Sequence, residues 1–328
     1  MDTQHIGQKR GYQDDDQPTF NKAPKYKKDS VISAQLVAQH YNQRPEVGVA
    51  RRKESRIIRM RSFNNWVKSV LIQRHTRPRQ CVLDMGCGKG GDLLKWAKAK
   101  IGYLIAADIA AVSLTQMQDR YNGLRNRSFG AEFHALDCYS ESIEPHLETQ
   151  RPVDVVSMQF CLHYAFESEE KARMMLHNVS RHLRSGGQFI GTIPDANLIV
   201  KRVRQEPPDV LGFGNEFYWI EFDPLPYPKS SGAAFTPFGC KYMFHLEDAV
   251  DCPEYLVHWG TFERLANEYG LELNYKENFH PFYQRAKTDK DHARLLQRIG
   301  VVGGQEPEMS VEEWEAAGIY LAFAFTKR

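Results

Sequence analysis

The run Val82-Leu83-Asp84-Met85-Gly86-Cys87-Gly88-Lys89-Gly90-Gly91-Asp92-Leu93-Leu94-Lys95-Trp96, followed by Ala107-Asp108-Ile109, limits the possible folds more than any other part of this chain. An apolar run stops at glycines, a helical pattern follows, and a second apolar run ends in a carboxylate. Strand, glycine turn, helix and acid-tipped strand form the first half of a nucleotide-type α/β site. The alternation continues. Strands are predicted over Leu104 to Asp108, Glu132 to Asp137, Val153 to Gln159, Gln188 to Ile193, Glu272 to Asn278 and Gly318 to Thr326. Helices are predicted over Ser113 to Leu124, Lys171 to Leu183 (stopped by Ser185-Gly186-Gly187), Trp259 to Tyr269 and Asp289 to Ile299. Such an order predicts an α/β fold, a doubly wound and mostly parallel sheet of seven strands.

With 328 residues, 42% of them hydrophobic, one large core is possible. We read a polar arm over residues 1–30 and a single domain over 31–328. The domain comprises a helical part (31–79), a core (80–200), an insertion (201–258) and closing helices and strands (259–328). The insertion is rich in Pro, Gly and aromatic residues, and is expected to lay irregular strands and loops over the working edge of the sheet. Val31, Leu36 and Val37 suggest a short helix. A second helix is expected from Arg51 to Ile72, with Phe63, Trp66, Val67 and Val70 on one face and Arg51, Arg52, Lys53, Arg56, Arg59 and Arg61 crowding its start.

Residues 1–79 hold 17 Lys and Arg against 7 Asp and Glu, although the whole chain is nearly balanced at 43 to 41. A basic front half indicates an anionic partner. Two clusters in the arm, Lys9-Arg10 and Lys22-Ala23-Pro24-Lys25-Tyr26-Lys27-Lys28, are consistent with a nuclear address or an RNA-contacting tail. The cysteines at 81, 87, 138, 161, 240 and 252 form no Cys-x-x-Cys pair, so free thiols and no metal site are expected. No apolar run is long enough to cross a bilayer and no secretory signal opens the chain, so an intracellular protein without a membrane partner is expected.

Gly86, Gly88 and Gly91 satisfy a pattern shared by dinucleotide and S-adenosylmethionine sites. Asp84 separates the two: a carboxylate beside the turn repels a pyrophosphate and attracts the ammonium of a methionine moiety. Asp108 is then placed for ribose hydroxyls and Asp137 for the adenine amino group. At the end of the fourth strand, Phe160, His163, Tyr164 and Phe166 form either a satisfied core cluster or a stacking site for a flat ligand.

Phe63-Asn64-Asn65-Trp66-Val67-Lys68, the glycine run, Ala107-Asp108-Ile109-Ala110, Gln159-Phe160-Cys161-Leu162-His163-Tyr164-Ala165-Phe166 and Gly318-Ile319-Tyr320 together resemble the eukaryotic mRNA cap guanine-N7 methyltransferases, in a fungal-like form. The resemblance covers roughly residues 35–328. It implies a Rossmann-like class I methyltransferase fold, S-adenosylmethionine as cofactor, the capped 5′ end of mRNA as partner, a nuclear location, and contact with RNA polymerase II or other capping components. It further implies that Lys68, Asp84, Gly86, Gly88, Asp108, Asp137, Gln159 and Tyr164 hold the cofactor, with Lys68 on the methionine carboxylate. Asn64, Asn65, Lys89, Lys95, Arg120, Phe160, His163, Glu254 and Tyr320 would contact the cap, with Glu254 accepting from guanine N1–H and the N2 amino group. Guanine N7 carries an exposed lone pair, so no general base is required, and His163 and Tyr164 are assigned to alignment. Two other readings of the same residues are a methyltransferase of another small molecule and a non-catalytic RNA-binding scaffold.

Overall fold

The computed structural model describes residues 55–125, 127–149, 151–222, 235–301 and 309–328, together with Asn42 and Pro224. The arm, the short helix expected near Leu36, and Arg51, Arg52 and Lys53 lie outside the described residues.

Helix α1 spans Ile58–His75 and buries Met60, Phe63, Trp66, Val67, Val70 and Leu71, an i, i+3, i+4, i+7 series that forms one apolar face. It starts later than the sequence suggested, because Arg56 lies before its first turn and pairs outward with Glu216 and Glu247. Thr76 then turns the chain into extended backbone two residues before Pro78. Strand β1 (Cys81–Met85) is buried along its whole length, as a strand covered on both faces must be. The pairs β1 and α2 (Leu93–Ala99), β2 (Tyr103–Asp108) and α3 (Ala111–Asn122), and β4 (Val153–Gln159) and α4 (Glu169–His182) alternate around β3 (Gly130–Ala135). Strand β5 (Leu183–Pro194) leads into α5 (Ala196–Gln205), and the chain closes with α6 (Trp259–Glu268), β10 (Leu271–Asn278), α7 (Phe279–Ala286), α8 (Lys290–Arg298), α9 (Val311–Ala317) and β11 (Tyr320–Lys327).

The main sheet has seven strands in the order β10-β11-β5-β4-β1-β2-β3. Strands β1 to β5 pair in parallel, and β11 lies antiparallel between β5 and β10. The order reverses between β1 and β4, so their carboxyl ends open the crevice in which such sheets bind ligands.

Three expectations need correction. The insertion is not irregular: β6 (Gly212–Gly214), β7 (Tyr218–Glu221), β8 (Lys241–Leu246) and β9 (Val250–Tyr255) form a four-stranded antiparallel sheet. In β8, Tyr242, Phe244 and Leu246 point inward while Lys241 and His245 point out, the two-residue period of a half-buried strand. Ser185-Gly186-Gly187 does not stop α4, which ends at His182. These residues sit inside β5 as an outward bulge where the β4–β5 register shifts, with Gly186 at φ +74°. Strand β3 ends at Ala135, so Asp137 lies in the following turn, its carboxylate accepting from the Tyr139 N–H at 3.0 Å and the Ser140 hydroxyl at 2.6 Å. Helices α5, α7 and α9 add to those expected from the sequence. They are short and capped by side chains: Asp195 accepts from Asn197 and Leu198, Asn278 from His280, and Ser310 with Glu313 forms a capping box.

Candidate active site

A cavity of about 260 Å³ opens at the crevice between β1 and β4. Its floor is the glycine turn, tied to β2 because Gly86 and Cys87 both donate backbone N–H bonds to Ala107 O, at 2.8 and 3.2 Å. Gly86 has φ +72°, and a Cβ there would lie 2.6 Å from Cys161 Sγ, so only glycine fits. Gly90 is equally confined, by Met117 at 2.7 Å. The turn therefore presents bare backbone to the cavity.

Asp108 ends β2 against this turn. Its Oδ2 accepts from the Gly88 N–H at 2.7 Å and its Oδ1 from the Ala110 N–H at 2.8 Å. Burial raises its carboxyl above the usual range, and these two backbone bonds oppose that rise. Each oxygen keeps a lone pair for a further donor, which suits a ribose diol. Asp137, Gln159 and Tyr164 also line the cavity. Gln159 is held by Ser157 and Thr192 at 3.1 and 3.2 Å, and Tyr164 OH meets Cys252 Sγ at 3.3 Å.

Asp84 is not part of the lining. It lies beneath the turn, 3% exposed, and accepts from Trp96 Nε1 at 3.1 Å. Burial and the neighbouring Asp92 charge raise its carboxyl to about 7, against the pull of the Trp96 bond and Lys68. Asp92 itself was missed from the sequence although it belongs to the glycine run. It lines the cavity, and its Oδ1 lies 2.9 Å from Lys68 Nζ and 2.8 Å from Lys95 Nζ. Burial raises this carboxyl, but the two ammonium groups outweigh burial and hold it at about 2.

Beside the cavity stands a second wall, assembled from distant segments. Lys95 Nζ donates to Asn65 Oδ1 at 3.0 Å, and Arg120 Nη1 to Lys89 O at 2.7 Å, so these four residues gather around the glycine turn. Phe160, at φ +60°, meets the Tyr320 ring edge-on at 4.9 Å, and Lys68 Nζ lies 5.9 Å from its centroid. His163 is 1% exposed, packs on Tyr164 at 4.3 Å, and places Nε2 3.2 Å from Glu254 Oε1. Tyr242 OH donates to Glu254 Oε2 at 2.8 Å, another contact the sequence did not reveal. Among the described residues, Asn64 Oδ1 and both ring nitrogens of His163 are buried without a hydrogen bond of good geometry. Orphaned buried polar atoms are costly, and a polar ligand relieves them. Tyr139, Cys161, Glu167, Lys171 and Tyr255 also line the cavity, and nothing in their linear spacing signals it.

The sheet order, the single antiparallel strand β11 and the glycine turn facing Asp108 define a doubly wound fold with a nucleotide-type site, and a family match makes it an S-adenosylmethionine-dependent methyltransferase. Residues 25–328 match the mRNA (guanine-N(7))-methyltransferase domain, and the chain belongs to that family. It is 47% identical over 305 residues to mRNA cap guanine-N(7) methyltransferase 1 of Oryza sativa, covering 90% of this chain and 82% of that protein. It is 46% identical over 301 residues to the mRNA cap guanine-N(7) methyltransferase of Schizosaccharomyces pombe, covering 89% and 82%. The same-named protein of Cryptococcus neoformans strain JEC21 is 48% identical over 301 residues, and there the match covers 89% of this chain but only 47% of the relative.

Proposed function

We propose that this chain transfers a methyl group from S-adenosylmethionine to N7 of the guanosine that caps mRNA, through alignment and without a general base. The observation that carries the reading is the family match, joined to a bare glycine turn beside a wall of buried aromatic and polar side chains. The residues suit the cofactor: the turn admits close approach, Asp108 has acceptor capacity for a ribose, and Lys68 offers a cation to a carboxylate. Bound S-adenosylmethionine supplies an already activated methyl on a sulfonium. Lys68, Gly86, Gly88, Asp108, Asp137, Gln159 and Tyr164 hold it, and Asp84 acts on its ammonium from beneath the turn.

On the cap side, Glu254 accepts from guanine N1–H and N2–H, a donor pair that adenine lacks on that edge. Tyr242 fixes its carboxylate and His163 stands against it. Phe160 and Tyr320 bound the base, Asn64 and Asn65 supply polar contacts, and Lys89, Lys95 and Arg120 face the triphosphate. Guanine N7 needs no deprotonation, so rate comes from holding two ligands in a near-attack arrangement. We further propose that the protein works in the nucleus, where the basic arm would meet RNA polymerase II or other capping components. Methyl transfer from labelled S-adenosylmethionine to GpppRNA, with ApppRNA and uncapped triphosphate RNA as controls, tests the reading. Label on GpppRNA alone is expected; equal labelling of all three, or of none, contradicts it.

A further inference from the structure

Lys68 lines the cofactor cavity, while Lys95 sits on the cap side with Asn65. Both ammonium groups converge on the Asp92 carboxylate: Oδ1 lies 2.9 Å from Lys68 Nζ and 2.8 Å from Lys95 Nζ, and Lys68 Nζ also donates to Oδ2 at 3.0 Å. We infer that Asp92 is a positioning residue that couples the two ligand sites, its shared carboxylate holding both ammonium groups in place. The inference rests on reading Lys68 as cofactor-facing and Lys95 as cap-facing.

Two half-buried cations this close repel each other unless an anion lies between them. Asp92 comes from the residue before α2, Lys68 from α1 and Lys95 from α2, so the carboxylate also ties two elements together. Lys95 is the more vulnerable partner. Burial lowers its affinity for the proton, Lys68 and Lys98 lower it further, and the Asp92 charge at 2.8 Å opposes them. The other groups facing the cluster are Asp84 below, itself partly neutral, and the uncharged Asn65. With the Asp92 charge removed, Lys95 titrates at lower pH, and its grip on an anionic triphosphate then depends on pH.

The test is equilibrium binding of the cap analogue GpppG, without cofactor, from about pH 6.5 to about pH 9. Asp92→Asn is expected to bind near wild type at the acid end and to lose about tenfold per pH unit above its new midpoint. Adding Lys95→Arg, a cation that does not deprotonate, is expected to remove that slope. Lys68→Met in the otherwise native protein is expected to move the loss of affinity to higher pH, and it carries the test if Asp92→Asn does not fold. Asp92→Asn weakening by the same factor at every pH, a slope surviving Lys95→Arg, or no upward shift in Lys68→Met would each overturn the coupling. Lys95→Met with unchanged GpppG affinity would instead overturn the cap-side reading of Lys95, separating the two failures.

Discussion

The cofactor floor and the cap wall meet at Phe160 and Lys68 but are built on different principles. The floor is nearly contiguous, residues 84–92 with Asp108, and its bonds are made largely by backbone: Gly86 and Cys87 to Ala107 O, Gly88 to Asp108. The wall draws on α1, the segment after β4, β9 of the second sheet and the first residue of β11, and its polar work is done by side chains. Each floor carboxylate has a bonded or ion-paired partner before any ligand arrives, although Asp92 Oδ1 is met by ammonium groups without a well-aligned hydrogen bond, whereas the wall keeps such atoms on Asn64 and on both His163 ring nitrogens. A backbone site tolerates side-chain change except where a side chain cannot exist. A side-chain site loses affinity with each group removed.

The largest expected effect follows from that exception. Gly86→Ala forces a Cβ into Cys161 at a backbone angle suited to glycine, and a loss of about 2 to 4 kcal/mol in stability is expected, with activity falling at least a hundredfold. Denaturant melts and cofactor titration check this. If Cys161→Ala restores no part of the loss, the steric account fails. Next in size is Glu254→Gln, which keeps the shape and removes one acceptor and the charge. The KM for capped RNA is expected to rise about a hundredfold, the equivalent of one charged hydrogen bond pair in a buried site, with cofactor affinity unchanged. A matching loss on the cofactor side would show that the two regions are not separable.

That contrast also explains what could be read from the sequence. Glycine chemistry and strand-ending acids are local, so the floor, the doubly wound sheet and the residues around Asp108 were legible from spacing. The wall was not: positions 64, 163, 254 and 320 meet only through the fold, and spacing alone does not join them. They were named through family resemblance, and the structure brings His163 to Glu254 and Phe160 to Tyr320. The antiparallel sheet was hidden for a different reason. Its inward Tyr242, Phe244 and Leu246 alternate plainly, but the Pro and Gly content just before them drew the reading towards loops. Ser185-Gly186-Gly187 misled in the opposite direction, because glycines after a helical run serve a strand bulge as well as a helix stop. Asp92 lay in plain view within the motif. Its importance comes from the two lysines that converge on it, and Lys68 is 24 residues away.

A smaller effect concerns charge beneath the floor. Asp84, raised to about 7, holds its proton more tightly in the folded chain than in the unfolded one, where it titrates at about 4. Its stabilising contribution is therefore fully present below about pH 4 and is lost as pH rises through about 7. Asp84→Asn keeps an oxygen for the Trp96 N–H without the charge. It is expected to be more stable than the native chain at pH 8, by a few kcal/mol at most, and indistinguishable from it near pH 4. Urea melts at the two values decide this. Cofactor affinity is expected to fall by about tenfold or less, because Asp84 acts across the turn and not in contact.

The smallest effect tests the seam around the wall. Arg56 joins the start of α1 to the second sheet through Glu216, Glu247 at 3.1 Å and the Phe217 ring at 4.8 Å. Its side chain is 56% exposed and that of Glu216 52%, so these pairs are screened and each contributes little. Arg56→Ala is expected to lower stability by about 1 kcal/mol or less, with part of that difference disappearing in high salt. Asn64 and Asn65 follow two turns later on the same helix. Loosening its start should therefore raise the KM for capped RNA about two- to threefold while moving the cofactor KM less, since the glycine turn is bonded to β2 and reaches α1 through Asp92 and Lys68, farther along the helix than Asn64 and Asn65. Steady-state kinetics with each substrate varied in turn separates the two. Equal shifts in both would mean that α1 supports the floor as much as the wall, and the division between a backbone site and a side-chain site would have to be redrawn around Lys68.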